Sequence, residues 1–115
     1  MEYSKLNMNK DFRRLYGRGH SHVHPILVTY IMRNKRNCVR YGITASKKVG
    51  GAVERNRARR IIEAAMRECV KDIDCTGVDI VFVARTKTLS VKSQDVAAVM
   101  KKHFLVEGIC PPYEE

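Results

Sequence analysis

The stretch Val53-Glu-Arg-Asn-Arg-Ala-Arg-Arg-Ile-Ile-Glu-Ala-Ala-Met-Arg-Glu-Cys-Val-Lys-Asp-Ile73 decides how this chain folds. At 3.6 residues per turn, Ala58, Ile61, Ile62, Ala65, Met66, Cys69 and Ile73 fall on one stripe, which predicts a long helix with one side on a core. Such a helix needs an apolar partner, and its flanks supply strands. Upstream, Cys38-Val-Arg-Tyr-Gly-Ile-Thr-Ala45 alternates, putting Val39, Tyr41, Ile43 and Ala45 on one face. Ile26 to Met32 is rich in β-branched and aromatic residues and reads as another strand. The polar turn Arg33 to Asn37 between them predicts an antiparallel hairpin. Downstream, Asp74 to Gly77 read as a turn, and Val78 to Ala84 as a third strand, mostly buried because it is almost continuously apolar.

Working outward, Asn9 is expected to cap a short helix running to about Tyr16, with Gly17 and Gly19 ending it. Ser93 is expected to cap a last helix, with Val96, Val99, Met100 and Phe104 inward. The order is then helix, strand, strand, helix, strand, helix, an α+β arrangement of helices layered on a small sheet. With 115 residues and neither repeats nor Pro/Ser-rich linkers, residues 1–115 are expected to form one domain.

The net charge of +10 is concentrated. Residues 33–60 hold ten basic side chains and one acidic, while residues 61–115 hold seven basic and nine acidic. A dense basic segment on a foldable domain points to a polyanion partner, since dispersed charge would suffice for solubility. Cys38, Cys69, Cys75 and Cys110 form no Cys-x-x-Cys pair. They are expected to be reduced thiols of a cytoplasmic protein. The longest apolar stretch, Pro25 to Met32, is too short to span a membrane, and no membrane partner is expected.

The most informative run is Arg55-Asn56-Arg57-Ala58-Arg59-Arg60. Four guanidiniums at a helix start oppose the macrodipole, which favours anions there, unless an anionic partner is supplied. Arginine's planar fork suits phosphate, and Lys47 and Lys48 in the loop Ser46 to Gly51, expected to be flexible, extend the surface. Phe12 and Tyr16 share a helix face, and Tyr30 lies on the first strand. Such aromatics are ordinarily core; beside Arg13, Arg14 and Arg18 they could instead stack unpaired bases. His20, His22 and His24 alternate, but no acidic or cysteine residue lies nearby in sequence to complete a metal site. No nucleophile–base pair or pair of carboxylates is placed for catalysis. The residues predict binding chemistry, with no catalytic side chain and no protein-held metal.

The run Ser46-Lys-Lys-Val-Gly-Gly-Ala-Val-Glu-Arg-Asn-Arg-Ala-Arg-Arg60 resembles the signature of the bacterial ribonuclease P protein component. The resemblance extends to Asp11-Phe12 with Tyr16, Gly19, Tyr41-Gly42 and Val83-Ala84-Arg85. Ala58 stands where the pattern usually has a larger aliphatic, and Glu63 where a basic residue is common. The resemblance implies a small α/β sandwich with a left-handed βαβ crossover. It implies one protein bound to one ribonuclease P RNA, which itself hydrolyses precursor tRNA to release the 5′ leader with Mg²⁺ held mainly by the RNA. By position, Lys47, Lys48, Arg55, Asn56, Arg57, Arg59 and Arg60 would face the catalytic RNA. Phe12, Tyr16 and Tyr30 would line a cleft for the single-stranded leader.

Three other readings remain at this point. A ribosome-associated RNA-binding protein would share the basic α/β character. A helix-turn-helix DNA binder would need a short helix before the arginine helix, where two strands stand instead. An autonomous nuclease would need clustered metal-binding carboxylates.

Overall fold

The run Val78-Asp-Ile-Val-Phe-Val-Ala84 forms strand β5 at the centre of a five-stranded sheet. The computed structural model describes residues 3–73 and 77–109. In chain order these form β1 (Tyr3–Lys5), α1 (Asn9–Arg18), β2 (His20–Val23), β3 (Leu27–Arg33), β4 (Val39–Thr44), α2 (Ala52–Cys69), β5 (Val78–Ala84) and α3 (Ser93–Glu107). The sheet order is β1-β4-β5-β3-β2. The α+β layering expected from the sequence is present.

The expected hairpin is not. β3 and β4 are separated by β5, which pairs antiparallel with β3 (Thr29 opposite Phe82) and parallel with β4 (Ile43 opposite Phe82). The reason lies in β5 itself. Only Val83 of its seven residues is even partly exposed, and a strand buried on both faces belongs between two others. Placing β5 there turns β4–α2–β5 into a parallel crossover unit, which the long helix makes possible.

The two faces of the sheet differ. Leu27, Ile31, Val39, Tyr41, Ile80 and Phe82 point to the face covered by α2 and α3, where they pack on Ala58, Ile62, Met66, Met100 and Phe104. All seven expected stripe residues lie in or against this core. On the other face, Leu6, Leu15 and Val81 make a smaller cluster under α1, with Phe12, Tyr30, Met32 and Val83 packed at its edge.

Element ends depart from expectation. Met8, not Asn9, precedes α1 at the cap position and contributes no side-chain cap. The helix continues through Gly17 to Arg18, stopping at Gly19, whose N–H donates to the Leu15 carbonyl at 2.8 Å. α2 gives way at Val70–Asp72 to a 3-10 turn. Ser93 is the first helical residue of α3; the Asp95 carboxylate caps it instead, accepting from the Lys92 N–H at 3.0 Å. β1 was not foreseen, because three residues give no periodic signal, and β2 falls on the alternating His20 and His22, which were expected only as a polar entry to the next strand. The loop from Ser46 is pinned, since the Val49 N–H donates to the Ser46 carbonyl at 3.0 Å and Val49 is buried. Cys38 and Cys69 are free thiols; Cys75, Cys110 and most of the turn Asp74 to Gly77 lie outside the described residues.

Candidate nucleic-acid interface

Asn56, Arg57, Arg59 and Arg60 are exposed on the first turns of α2, opposite its buried stripe, and Arg55 is half-buried. Lys47 and Lys48 are exposed in the turn just before. Gly50 makes that approach possible. Its φ of +149° suits glycine, and a Cβ there would sit 2.7 Å from the Glu54 Cβ. Glu54 satisfies the dipole at the helix start, accepting from the Gly51 N–H at 3.2 Å. Among the described residues none of the four arginines is ion-paired with a carboxylate. Arg57 donates to the Leu89 carbonyl at 3.0 Å and Arg59 to the Asn56 side chain at 3.1 Å, which leaves most of their donors outward. The structure thus brings these groups together on one surface, with Arg55 partly withdrawn from it.

The sheet register lays out the second surface in rows on the face under α1. Arg40, Asp79 and Met32 form one row, Gly42, Val81, Tyr30 and Ser21 the next, and Thr44, Val83, Val28 and Val23 the third. α1 covers the first two. Phe12 seats against Gly42, where any Cβ would lie 2.5 Å from its ring. Tyr16 stands at the boundary, its ring 5.1 Å from that of Tyr30 in an edge-to-face pair and its hydroxyl 3.2 Å from Thr44 Oγ1. Beyond Tyr16 the third row is incompletely covered, with Val23 68% exposed. Phe12, Tyr16 and Tyr30 therefore come together, half in the small core and half on a shallow apolar trough.

Two polar clusters escaped sequence reasoning. Asp79, fully buried, accepts from Arg40 Nε and Nη2 at 2.9 and 2.7 Å, from Arg14 Nη2 at 2.8 Å and from the Asn34 amide at 2.6 Å. Burial pushes its carboxyl up, but the Arg40 and Asn34 hydrogen bonds outweigh that and hold it below the usual range. One charged residue inside an apolar strand was the available signal, since a buried carboxylate needs partners. The other cluster joins β2 to α3. His20 Nδ1 and His22 Nε2 each lie 2.8 Å from one oxygen of Glu107, and the His22 ring stacks on that of His103 at 5.4 Å. Glu107 thus supplies an acidic partner that sequence proximity could not. Among the described residues, however, no three His, Cys, Asp or Glu side chains are grouped so as to hold a metal ion.

His103 gives this end of the fold a pH dependence. Buried, with the Thr29 hydroxyl 2.7 Å from Nδ1, it has its pKa pushed down to about 4, first by desolvation and then by His22 and His24. A histidine that resists protonation when folded stabilises above its unfolded pKa of about 6.5, and that contribution drains away between 6.5 and the folded value. Stability should fall on the order of 2–3 kcal/mol between pH 7 and 4 from this group. His103→Asn, which keeps a group near Nδ1 but does not titrate, should flatten that part of a pH series of urea melts. An unchanged profile would assign the acid sensitivity elsewhere.

The family model described as Ribonuclease P matches residues 2–106. This chain belongs to the ribonuclease P family. The ribonuclease P protein component of Clostridium botulinum is 37% identical over 109 residues, covering 95% of this chain and 98% of that protein. That of Clostridioides difficile is 41% identical over 96 residues, covering 84% of each. Among solved structures, the RNase P protein of Staphylococcus aureus superposes with a TM-score of 0.78 at 28% identity, covering 93% of this chain and 97% of that one. The RNase P protein from Thermotoga maritima gives 0.70 at 25%, covering 91% and 94%. Membership in the ribonuclease P family makes the chain a protein subunit of an RNA–protein enzyme, and the α+β fold agrees.

Proposed function

We propose that this chain binds the catalytic RNA of ribonuclease P through Lys47, Lys48, Arg55, Asn56, Arg57, Arg59 and Arg60, and the 5′ leader of precursor tRNA through Phe12, Tyr16 and Tyr30. The observation that carries the reading is the arginine cluster on the first turns of α2, none of whose guanidiniums is ion-paired with a carboxylate among the described residues. Positive charge between two polyanions weakens their repulsion and releases counterions, so that RNA and substrate associate at lower Mg²⁺. A trough with aromatic edges holds unpaired bases by stacking, without reading their identity. Seating the leader orients the scissile phosphate toward the RNA's reactive centre. In this reading hydrolysis belongs to the RNA, which holds most of the Mg²⁺. One protein serves one RNA, and the complex works in the cytoplasm, acting on precursor tRNA.

Reconstitution tests this. The protein added to a bacterial ribonuclease P RNA at low Mg²⁺ should raise the rate of leader removal severalfold. Lack of stimulation, with the protein cofractionating with ribosomal subunits, would favour the ribosomal reading. Cleavage by the protein alone would favour an autonomous nuclease. Substrate comparison tests the trough. Phe12→Ala with Tyr30→Ala should weaken binding of leader-bearing precursor by about 1–3 kcal/mol per unstacked base, with little change for mature tRNA. Tyr16→Ala, at a 43% exposed ring, should do the same without disturbing the small core. Equal losses for both RNAs would remove the leader assignment.

A further inference from the structure

Beside the arginine helix lies an open cleft of about 400 Å³ where the end of β1, the middle of β4 and the middle and later turns of α2 meet. Leu6, Tyr41, Gly42 and Ile43 line its apolar side, and Lys5, Arg59, Arg60 and Arg67 line it with exposed cations. The one acidic group in it is Glu63, which accepts hydrogen bonds from the Tyr41 hydroxyl and the Lys5 ammonium. Burial pushes the Glu63 carboxyl up, and these two partners more than reverse that, so it stays an ionised acceptor.

A cationic groove alone would track a phosphate backbone blind to sequence. A carboxylate in its midst repels phosphate, and although each Glu63 oxygen already accepts one hydrogen bond, its remaining lone pairs suit N–H donors there while the cationic rim suits phosphate. We propose that this cleft seats one unpaired guanosine of the bound RNA, with its base on the apolar wall, its Watson–Crick edge on Glu63 and its phosphates on Arg59, Arg60 and Arg67. The proposal rests on the RNA-binding reading above and adds base selectivity to it. Guanine presents N1–H and the N2 amino group side by side, matching the two oxygens of a carboxylate. Adenine and cytosine present one amino group next to a ring-nitrogen acceptor, and uracil presents one N–H between two carbonyls; each would turn an acceptor toward Glu63. Bases splayed from loops and bulges are read on this edge in sequence-specific RNA recognition. The volume lies within the range of small-ligand sites. Lys5, exposed and at the end of β1, can follow the incoming phosphate while Tyr41 keeps Glu63 in place.

The full chain titrated with 5′-GMP, 5′-AMP, 5′-CMP and 5′-UMP tests this, followed by backbone amide shifts. GMP should shift the signals of Leu6, Gly42 and Ile43 and bind about tenfold tighter than AMP. Glu63→Gln, which places an amide donor against the base, should abolish the preference while the other nucleotides keep their affinity. Arg67→Gln should weaken all four alike, and needs no change at Glu63. Four equal affinities, no binding at millimolar nucleotide, or shifts confined to Lys47–Asn56 would overturn the proposal. Binding of the unaltered chain to ribonuclease P RNA is measured separately. Its absence would overturn the RNA-binding reading, whereas its presence with indifferent nucleotide binding would overturn the guanosine subsite alone.

Discussion

Asp79→Ala should destabilise the protein by about 3–5 kcal/mol, because it leaves Arg40 and Arg14 packed against a site that no longer carries a negative charge. Asp79 is fully buried and receives four hydrogen bonds from three side chains, two of them guanidiniums. Removing the acceptor strands the donors, which costs more than the intact pair gains. The effect reaches function through α1. Arg14 is an α1 residue and Arg40 and Asp79 are sheet residues, so the cluster ties the helix bearing Phe12 and Tyr16 to its floor. Asp79→Asn, which retains an acceptor but not the charge, should lose less. Urea melts at neutral pH read the difference. A loss below about 1 kcal/mol for the alanine variant would show that water, not Asp79, satisfies the arginines. Because the folded carboxyl is held below its usual range, the same stabilisation should fade as pH drops through that depressed value.

Arg57→Ala with Arg60→Ala should weaken binding to ribonuclease P RNA roughly a hundredfold at low salt, taking each lost charged contact at the lower end of its range. The more diagnostic result is the slope of log affinity against log salt, which should shrink by about two for two lost phosphate contacts. Both side chains are exposed and, among the described residues, neither is ion-paired with a carboxylate, so the melting temperature should barely move. Arg57→Lys separates charge from geometry: it should preserve the slope and lose part of the affinity, since an ammonium cannot make a forked contact. An unchanged slope in the double variant would place the RNA elsewhere on the surface.

The helix stripe and the outward arginines were legible because both are local. Which side chains share a helix face depends on a spacing of 3.6, and no other part of the chain can alter it. The near-continuous apolar run of β5 announced burial in the same way. The aromatic trough was half legible: helical spacing put Phe12 and Tyr16 together, but their meeting with Tyr30 depended on which face of the sheet α1 would cover.

Strand order was not written in any local pattern. The polar turn after β3 is compatible with a hairpin, and only competition for the central position sends β5 between β3 and β4. The same long-range choice brings Asp79 to Arg40 and Arg14, Glu107 to His20 and His22, and Glu63 to Tyr41 and Lys5. Periodicity thus determined which faces would be buried and where the positive charge would gather. The pairing of distant polar groups was decided by tertiary packing, because burying a charge is tolerable only where the fold delivers a partner from elsewhere in the chain.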